Sequence, residues 1–304
     1  MWELVGAVVG AGLASGREIT AFFAKYGGWG YAGIILSGVT IGWLGQISRP
    51  MQWRYRWQGD TWKWILYAML IVTAGAMLSG AGELARMIFP VPCAYWLSIL
   101  VTLIAAWLLA NKSCAGLSRL SICMMIVFTG MLVGLLFLPV QPAFVLTDVE
   151  PVAALLSGIK YGGFNAALQS PLLEQKVHST KTVWSASLVC SMLLALGVTV
   201  MLRQPSLLTE PIPILAAVRD WGRIGYVVYA ICLYLAILST LTACMRGLKG
   251  KNAIIAVVLI SQLGFTGVVD AVYPVLGSCC FVMLLLAKFA KSGAASFHSK
   301  ADVI

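Results

Sequence analysis

The chain has 304 residues, of which 60% are hydrophobic and only 11% are charged, and its mean hydropathy is +0.91. Soluble domains carry about 25% charged residues, so this composition excludes a water-soluble globular protein. The net charge of +10 comes largely from basic residues between apolar runs, which favours contact with anionic lipid over nucleic acid.

Ten apolar runs follow one another along the chain. A membrane-spanning helix needs roughly 20 mostly apolar residues, and the runs are about that long. They lie at about 3–23, 28–47, 62–87, 93–110, 118–138, 152–173, 183–202, 222–244, 252–271 and 273–290. The sequence therefore predicts an all-α polytopic membrane protein, with about ten transmembrane helices in a single domain over residues 1–304.

The distribution of Lys and Arg predicts an orientation. If the N-terminus is cytoplasmic, the loops on that side and the C-terminal end hold 14 of the 21 basic residues. This is the positive-inside bias of membrane proteins. We therefore expect a multi-pass protein of the bacterial inner membrane, embedded in the lipid bilayer, with both termini in the cytoplasm.

Glycines interrupt the first run at Gly6, Gly10, Gly12 and Gly16. Glycine in a helix interior costs about 1 kcal/mol relative to alanine. Unwound backbone is tolerated at membrane depth only where it is buried in protein or lines a cavity. The pattern predicts a helix that is broken near Gly10–Gly12, although the four-residue spacing also fits close packing between helices.

The sixth run contains a second glycine pair, Gly162–Gly163, among the polar residues Tyr161, Asn165 and Gln169. Glycine-broken spans at corresponding places in two halves are typical of secondary transporters. We therefore expect two five-helix repeats, at about 1–140 and 150–290, with helices 1 and 6 broken. Because five is an odd number, the second repeat must be inverted relative to the first.

The first run also resembles a known family. The stretch Gly6–Ile19, with the sequence GAVVGAGLASGREI and a Phe22–Phe23 pair after it, is similar to the start of the YkvI-like bacterial membrane proteins. Those proteins are grouped with the amino acid–polyamine–organocation transporters and are expected to share the LeuT fold. The ten runs and the segment Tyr161–Asn165 fit the same resemblance.

The resemblance implies a substrate site between the first and sixth runs. Backbone amides of Ala11 and Gly12, beside Gly10, would bind a substrate carboxylate. Five consecutive residues of the sixth run would close the site: Tyr161, Gly162, Gly163, Phe164 and Asn165. The alternatives are that Phe164 packs against the core or lipid, and that Asn165 makes an interhelical hydrogen bond.

A sodium site is implied in the same way. Ala236, Ser239 and Thr240 in the eighth run share one face of a helix, and would bind one Na⁺ together with the backbone carbonyls of Gly6 and Val9. The fifth run offers no lysine to take the place of the ion. The alternative is that both hydroxyls bond to their own helix. No organic cofactor is expected.

Four of the charged residues within the runs are candidates for a role at the site. Lys160 is expected to contact the substrate, to replace a coupling ion or to pair with Glu18, because intramembrane charges are costly and usually functional. Its alternative role is to extend to the outer interface. Arg17, Glu18 and Asp270 lie near the outer ends of their runs, where they could form a gate above the site or be surface charges without a role.

Taken together, these patterns favour a secondary active transporter of a small amino-acid-like solute, which works by alternating access and is driven by Na⁺. The alternative is a non-transporting sensor on the same scaffold, such as a germinant-receptor-like subunit. An enzyme is not expected, because the sequence has no HExxH motif or Ser-His-Asp set, and His178 and His298 lie outside the predicted spans.

Overall fold

The structure, a computed structural model, describes residues 2–47, 56–110, 117–140, 150–175, 179–248 and 251–286. These residues form helices with short connections, and no β-strand occurs among them. The α-helices are α1 Trp2–Val8, α2 Ala11–Ser15, α3 Arg17–Phe22, α4 Trp29–Ile47, α5 Arg56–Ile88, α6 Ala94–Ala110, α7 Leu117–Leu135, α8 Pro151–Gln175, α9 Thr180–Arg203, α10 Pro213–Arg219, α11 Arg223–Gly247, α12 Lys251–Ser261 and α13 Phe265–Leu286. The predicted all-α architecture is confirmed.

Within the described ranges, four helices are long and apolar enough to cross a bilayer, judged by length and composition. They are the part of α5 from Trp62 to Ile88, and α9, α11 and α13. Large apolar side chains also lie on the outside of the bundle, for example Leu97 and Leu100 on α6. Such a surface suits contact with lipid. Several basic residues of the predicted inner loops, including Arg49 and Lys112, lie outside the described residues.

Glycines bring α4 and α8 into close contact. A Cβ added at Gly33 would lie 2.7 Å from the carbonyl oxygen of Ala154, and one added at Gly162 would lie 2.6 Å from the Cβ of Thr40. The residue numbers of the contacting pairs increase in the same direction along both helices, so α4 and α8 are parallel. Parallel spans must be separated by an odd number of other spans, which agrees with the three that are predicted between the second and sixth runs.

The opposite side of α4 packs against α9. Tyr31 and Thr199 share a hydrogen bond of 2.8 Å, and Ser187 donates to the carbonyl of Gly38. Early residues of α4 thus meet late residues of α9, so these two helices are antiparallel. The helix α4 is held between α8 and α9 with little side-chain volume on either side.

The predicted break in the sixth run is wrong, because α8 is continuous from Pro151 to Gln175. Its glycines serve helix packing instead: a Cβ added at Gly163 would lie 2.6 Å from the carbonyl oxygen of Gly277 on α13. Gly162 faces α4 in the same way. The close-packing alternative, which was considered for the first run, applies to this one.

The boundary between the last two runs also differs from the prediction. The expected runs at about 252–271 and 273–290 divide earlier, in a turn at residues 262–264. Gly264 has φ +76°, a conformation that glycine adopts at little cost. Hydropathy did not place this turn, because the sequence from 252 to 290 is apolar almost throughout.

The last helix, α13, runs antiparallel to α5. Phe265 at its start packs 3.2 Å from the Cβ position of Gly80, and the sulfur of Cys280 lies 3.1 Å from the sulfur of Met69. The two helices thereby place Tyr273 and Thr73 in the interior. This interface forms one wall of the candidate site.

Candidate functional site

The first run is a helix in three pieces, with its first interruption at Val9 and Gly10. Gly10 has an extended backbone, with ψ −174°. The last carbonyls and first amides of a helix have no partner within it, so the break leaves the carbonyls of Gly6 and Val9 and the amides of Ala11 and Gly12 free of helical bonds. Ala11 and Gly12 are buried. The predicted interruption of this run is therefore present at the half-buried residues Val9 and Gly10, next to the buried amides of α2.

A second turn follows at Gly16, whose φ of +85° lies in the left-handed region. Ser15 stabilises this turn, because its hydroxyl donates to the carbonyl of Gly12 at 2.6 Å and accepts from the amide of Arg17 at 3.1 Å. The chain changes direction here before α3 begins. As a result, Glu18 in the first turn of α3 is directed back towards α2.

The carboxyl group of Glu18 lies beside the break. The residue is only 6% exposed, and a Cβ added at Gly12 would collide with the carboxyl group, 2.5 Å from Cδ. Tyr161 on α8 donates a hydrogen bond to Oε2 at 3.3 Å. The Tyr161 ring makes edge contacts with Phe22 and Phe23, at centroid distances of 5.1 and 5.0 Å. Gly12 thus provides space for a carboxyl group within an aromatic environment.

Two of the three predicted gate residues form an ion pair. Arg17 donates from Nε to Oδ1 of Asp270 at 3.0 Å, and its Nη2 contacts the second carboxylate oxygen. Its Nη1 also donates to the carbonyl of Glu210, just before α10, at 3.3 Å. Asp270 lies in a π-helical turn of α13, Val268–Val272, and such turns are frequent at functional sites. Glu18 takes no part in this cluster.

The other side chains predicted on α8 are used mainly for packing. Phe164 stacks on Tyr273 with a centroid distance of 4.5 Å. Asn165 donates to the carbonyl of Tyr161 at 3.0 Å, which lies on its own helix. Lys160 is half-buried and forms no ion pair with a described residue, so the predicted pairing with the carboxyl group of α3 is not seen.

The predicted sodium ligands on α11 lie in two different settings. The Thr240 hydroxyl faces the break, since it lies 3.6 Å from the Cβ position of Gly10. The Ser239 hydroxyl donates to the carbonyl of Ala236 at 2.9 Å, as in the alternative interpretation. The structure therefore brings one of the two hydroxyls to the interruption.

Sequence reasoning missed three hydroxyl groups around this site. Tyr229 on α11 donates to the carbonyl of Ala14 at 2.6 Å and so attaches α2 to α11. The hydroxyls of Tyr273 and Thr73 are buried next to each other, and neither has a hydrogen bond to a third residue within the described residues. The sequence signal for each was only a polar side chain in an apolar run, which does not identify a site.

Comparison with known proteins agrees with this architecture, although no family model matches the chain. The chain is 25% identical over 333 residues, covering 93% of each sequence, to the uncharacterized membrane protein YkvI of Bacillus subtilis strain 168. It also resembles two solved mutants of the Eremococcus coleocola manganese transporter. Their TM-scores are 0.53 and 0.50, at 14% and 15% identity, with 94% of this chain and 76% of each transporter covered. The chain is thus similar to a membrane protein in sequence and to membrane transporters in fold.

Proposed function

We propose that this protein is a secondary active transporter that moves a small amino-acid-like solute by alternating access, coupled to Na⁺. The observation that carries the proposal is the interruption at Val9 and Gly10, which leaves backbone groups without helical bonds next to the buried residues Ala11 and Gly12 of the first span. Secondary transporters hold substrates at such interruptions. The similarity in fold to solved transporters supports the same class of function.

The polar groups at the break suit a zwitterion. The amides of Ala11 and Gly12 are donors for a carboxylate, and the carboxyl group of Glu18 lies beside Gly12, where its oxygen can accept a hydrogen bond from an ammonium group. Tyr161 supplies a hydroxyl at the same place. Hydrogen-bond donors and a carboxyl oxygen acceptor that lie close together match the two ends of an amino acid.

Manganese, which the solved neighbours carry, is a less suitable cargo for these residues. Manganese favours several oxygen ligands, including carboxylates. The described residues contain no group of three His, Cys, Asp or Glu side chains that could hold a metal ion, and the break has one carboxyl group nearby. We therefore favour an organic solute.

Sodium would bind between the break and α11. Hard cations take oxygen ligands, which here would be the carbonyls of Gly6, Val9 and Ala236 and the hydroxyls of Ser239 and Thr240. Thr240 already faces the break. The Ser239 hydroxyl donates a hydrogen bond to the carbonyl of Ala236, and its oxygen keeps lone pairs for a cation.

Uptake by purified protein in liposomes tests the proposal. We expect labelled amino acids to accumulate under an inward Na⁺ gradient and not under a matched K⁺ gradient. The double change Ser239→Ala with Thr240→Ala should abolish the Na⁺ effect. The control is Thr129→Ala, whose hydroxyl bonds only to its own helix α7. Equal uptake in Na⁺ and K⁺ would refute sodium coupling, and binding without uptake would favour the sensor.

A further inference from the structure

Glu18 is buried without a compensating positive charge. Its carboxyl group receives one hydrogen bond, from the neutral hydroxyl of Tyr161 at 3.3 Å, and Oε1 has no hydrogen bond to any described residue. Transfer of an ionised carboxylate out of water is strongly unfavourable unless the charge is paired and hydrogen-bonded, and an unpaired group takes up a proton instead. The geometry around Glu18 therefore suits the neutral acid.

The ionisable groups on the surrounding elements do not supply the missing charge. Among them are Arg17 on α3, Lys160 and Tyr161 on α8, Cys190 on α9, Tyr229 on α11, and Asp270 and Tyr273 on α13, while Arg203 on α9 donates to the carbonyl of Leu138. Arg17 is bound to Asp270, and Lys160 makes no ion pair with a described residue. Tyr229 donates to a backbone carbonyl of α2. Only Tyr161 contacts the carboxyl group directly.

Two further hydroxyls lie next to each other on the α5–α13 interface. Tyr273 and Thr73 are 1% and 5% exposed, and neither hydroxyl has a hydrogen bond to a third residue within the described part of the chain. Tyr273 lies close enough to Glu18 for an electrostatic interaction. Hydroxyls both donate and accept hydrogen bonds, so these groups offer the next polar atoms beyond the carboxyl group.

We propose that Glu18 is a proton-binding residue, which holds a proton in the arrangement seen here and releases it to water when α3 separates from α8. The O–H bond of the carboxylic acid breaks in this step, the electron pair stays on the carboxylate, and one proton leaves for each opening. Separation of α3 from α8 is thereby linked to pH. This inference requires neither Na⁺ nor a solute, so it stands independently of the proposed transport.

Infrared spectroscopy of the full chain at neutral pH tests the protonated state. We expect the difference between wild type and Glu18→Gln to contain one carbonyl band of a protonated carboxylic acid, which shifts in D₂O. The matched control is Glu83→Gln, since Glu83 pairs with Arg86 at 3.3 Å on the outside of α5 and should contribute no such band. Absence of the band from the Glu18→Gln difference would overturn the proposal.

Thermal unfolding over a range of pH gives a second readout. A proton that is bound in the folded state and lost from the solvated carboxyl group on unfolding makes stability fall as pH rises. The slope should be shallower in Glu18→Gln than in wild type, and equal slopes would contradict the proposal. If Glu18→Gln does not fold, Tyr161→Phe replaces it. That variant should retain the acid band at a higher frequency, because the carboxyl group loses its hydrogen bond, and an unchanged band would overturn the assignment.

Discussion

Gly12 and Glu18 depend on each other. The resemblance to a transporter family implies that Gly12 lets a substrate approach the backbone, yet the carboxyl group of Glu18 occupies that space in this structure. A solute that reached the amide of Gly12 would therefore have to displace the carboxyl group or bind beside it. Substitution at Gly12 acts first on Glu18.

Gly12→Ala should move the Glu18 carboxyl group out of its position. The added Cβ collides with the carboxyl group, and overpacking of this kind costs about 1–3 kcal/mol. We expect a lower melting temperature and loss of the hydrogen bond from Tyr161. Gly130→Ala is the control, because nothing lies within 4 Å of its Cβ position, and alanine at this helical site should stabilise by up to about 1 kcal/mol. Equal stability of the two variants would show that Glu18 is not fixed against α2.

Tyr229→Phe tests the attachment of α2 to α11. The change removes the 2.6 Å hydrogen bond to Ala14 and leaves a buried carbonyl without that donor, at a cost of about 1–3 kcal/mol. Tyr226→Phe on the same helix is the control, since its bond to Met87 is longer, at 3.2 Å, and only part-buried. Denaturation in detergent should show the larger loss for Tyr229→Phe, and the reverse order would contradict this role.

The position of Glu18 could not be predicted from the sequence. Its place near the end of the first run suggested an outer gate together with Arg17 and Asp270. Gly16 decides which way the Glu18 side chain points, because its left-handed backbone directs Glu18 inward while Arg17 reaches Asp270. Glycine adopts positive and negative φ with similar ease, so the residue type alone does not fix the direction of the chain.

Glycines within a predicted span break the helix in one run and leave it continuous in another. In the first run the backbone opens at Gly10, whereas α8 continues through Gly162 and Gly163. The difference lies in the partners, since both glycines of α8 meet another helix at distances that exclude a side chain. A sequence shows glycine spacing and not the neighbour that it faces, so the broken first helix was predicted correctly and the broken sixth was not.

Gly158→Ala should destabilise the contact between α4 and α8. The added Cβ would collide with the backbone carbonyl of Gly33, which cannot rotate away, so we expect a loss of about 1–3 kcal/mol. Gly225→Ala on α11 is the control, because its nearest neighbour would lie at an ordinary 3.7 Å. Thermal unfolding of both variants measures the difference. Equal stability would mean that the two helices are free to separate at this point.

The side chain of Arg17 connects three segments that are distant in the sequence. Arg17 links α3 to Asp270 of α13 and to the backbone before α10. The Asp270 side chain is 40% exposed, so a double-mutant cycle with Arg17→Gln and Asp270→Asn should give a coupling energy of about 0.2–1 kcal/mol, which falls with added salt.

Hydrogen exchange can show whether the Arg17 pair holds α3 and α10 together or only raises the stability of the protein as a whole. Amides of α3 and α10 should exchange faster in Arg17→Gln, because the connection between their segments is lost. Glu83→Gln removes an ion pair that lies within α5 alone and should leave both segments unchanged. If exchange were equally fast in the two variants, the Arg17 pair would not hold these segments together.

The order of the helices was easier to predict than their ends. The parallel arrangement of α4 and α8 agrees with the predicted sequence of spans, because long apolar runs indicate helices reliably. The turn at Gly264 was missed, since three residues within a long apolar stretch change the average hydropathy very little. Contacts between α12, α13 and α5 decide where that stretch divides.

The first two pieces of the first span are attached to different partners. Gln169 of α8 donates to the carbonyl of Leu4 in α1 at 3.3 Å, whereas Tyr229 of α11 donates to α2. Any displacement of α11 relative to α8 must therefore be absorbed as torsion at Val9 and Gly10. Gly10→Ala has room for its methyl group, 3.6 Å from Thr240, but it restricts backbone rotation. Single-molecule fluorescence should show longer dwell times in each position of α11 relative to α8 in this variant, while the positions themselves are unchanged. Gly10 would then govern the rate of exchange between these positions and not the positions.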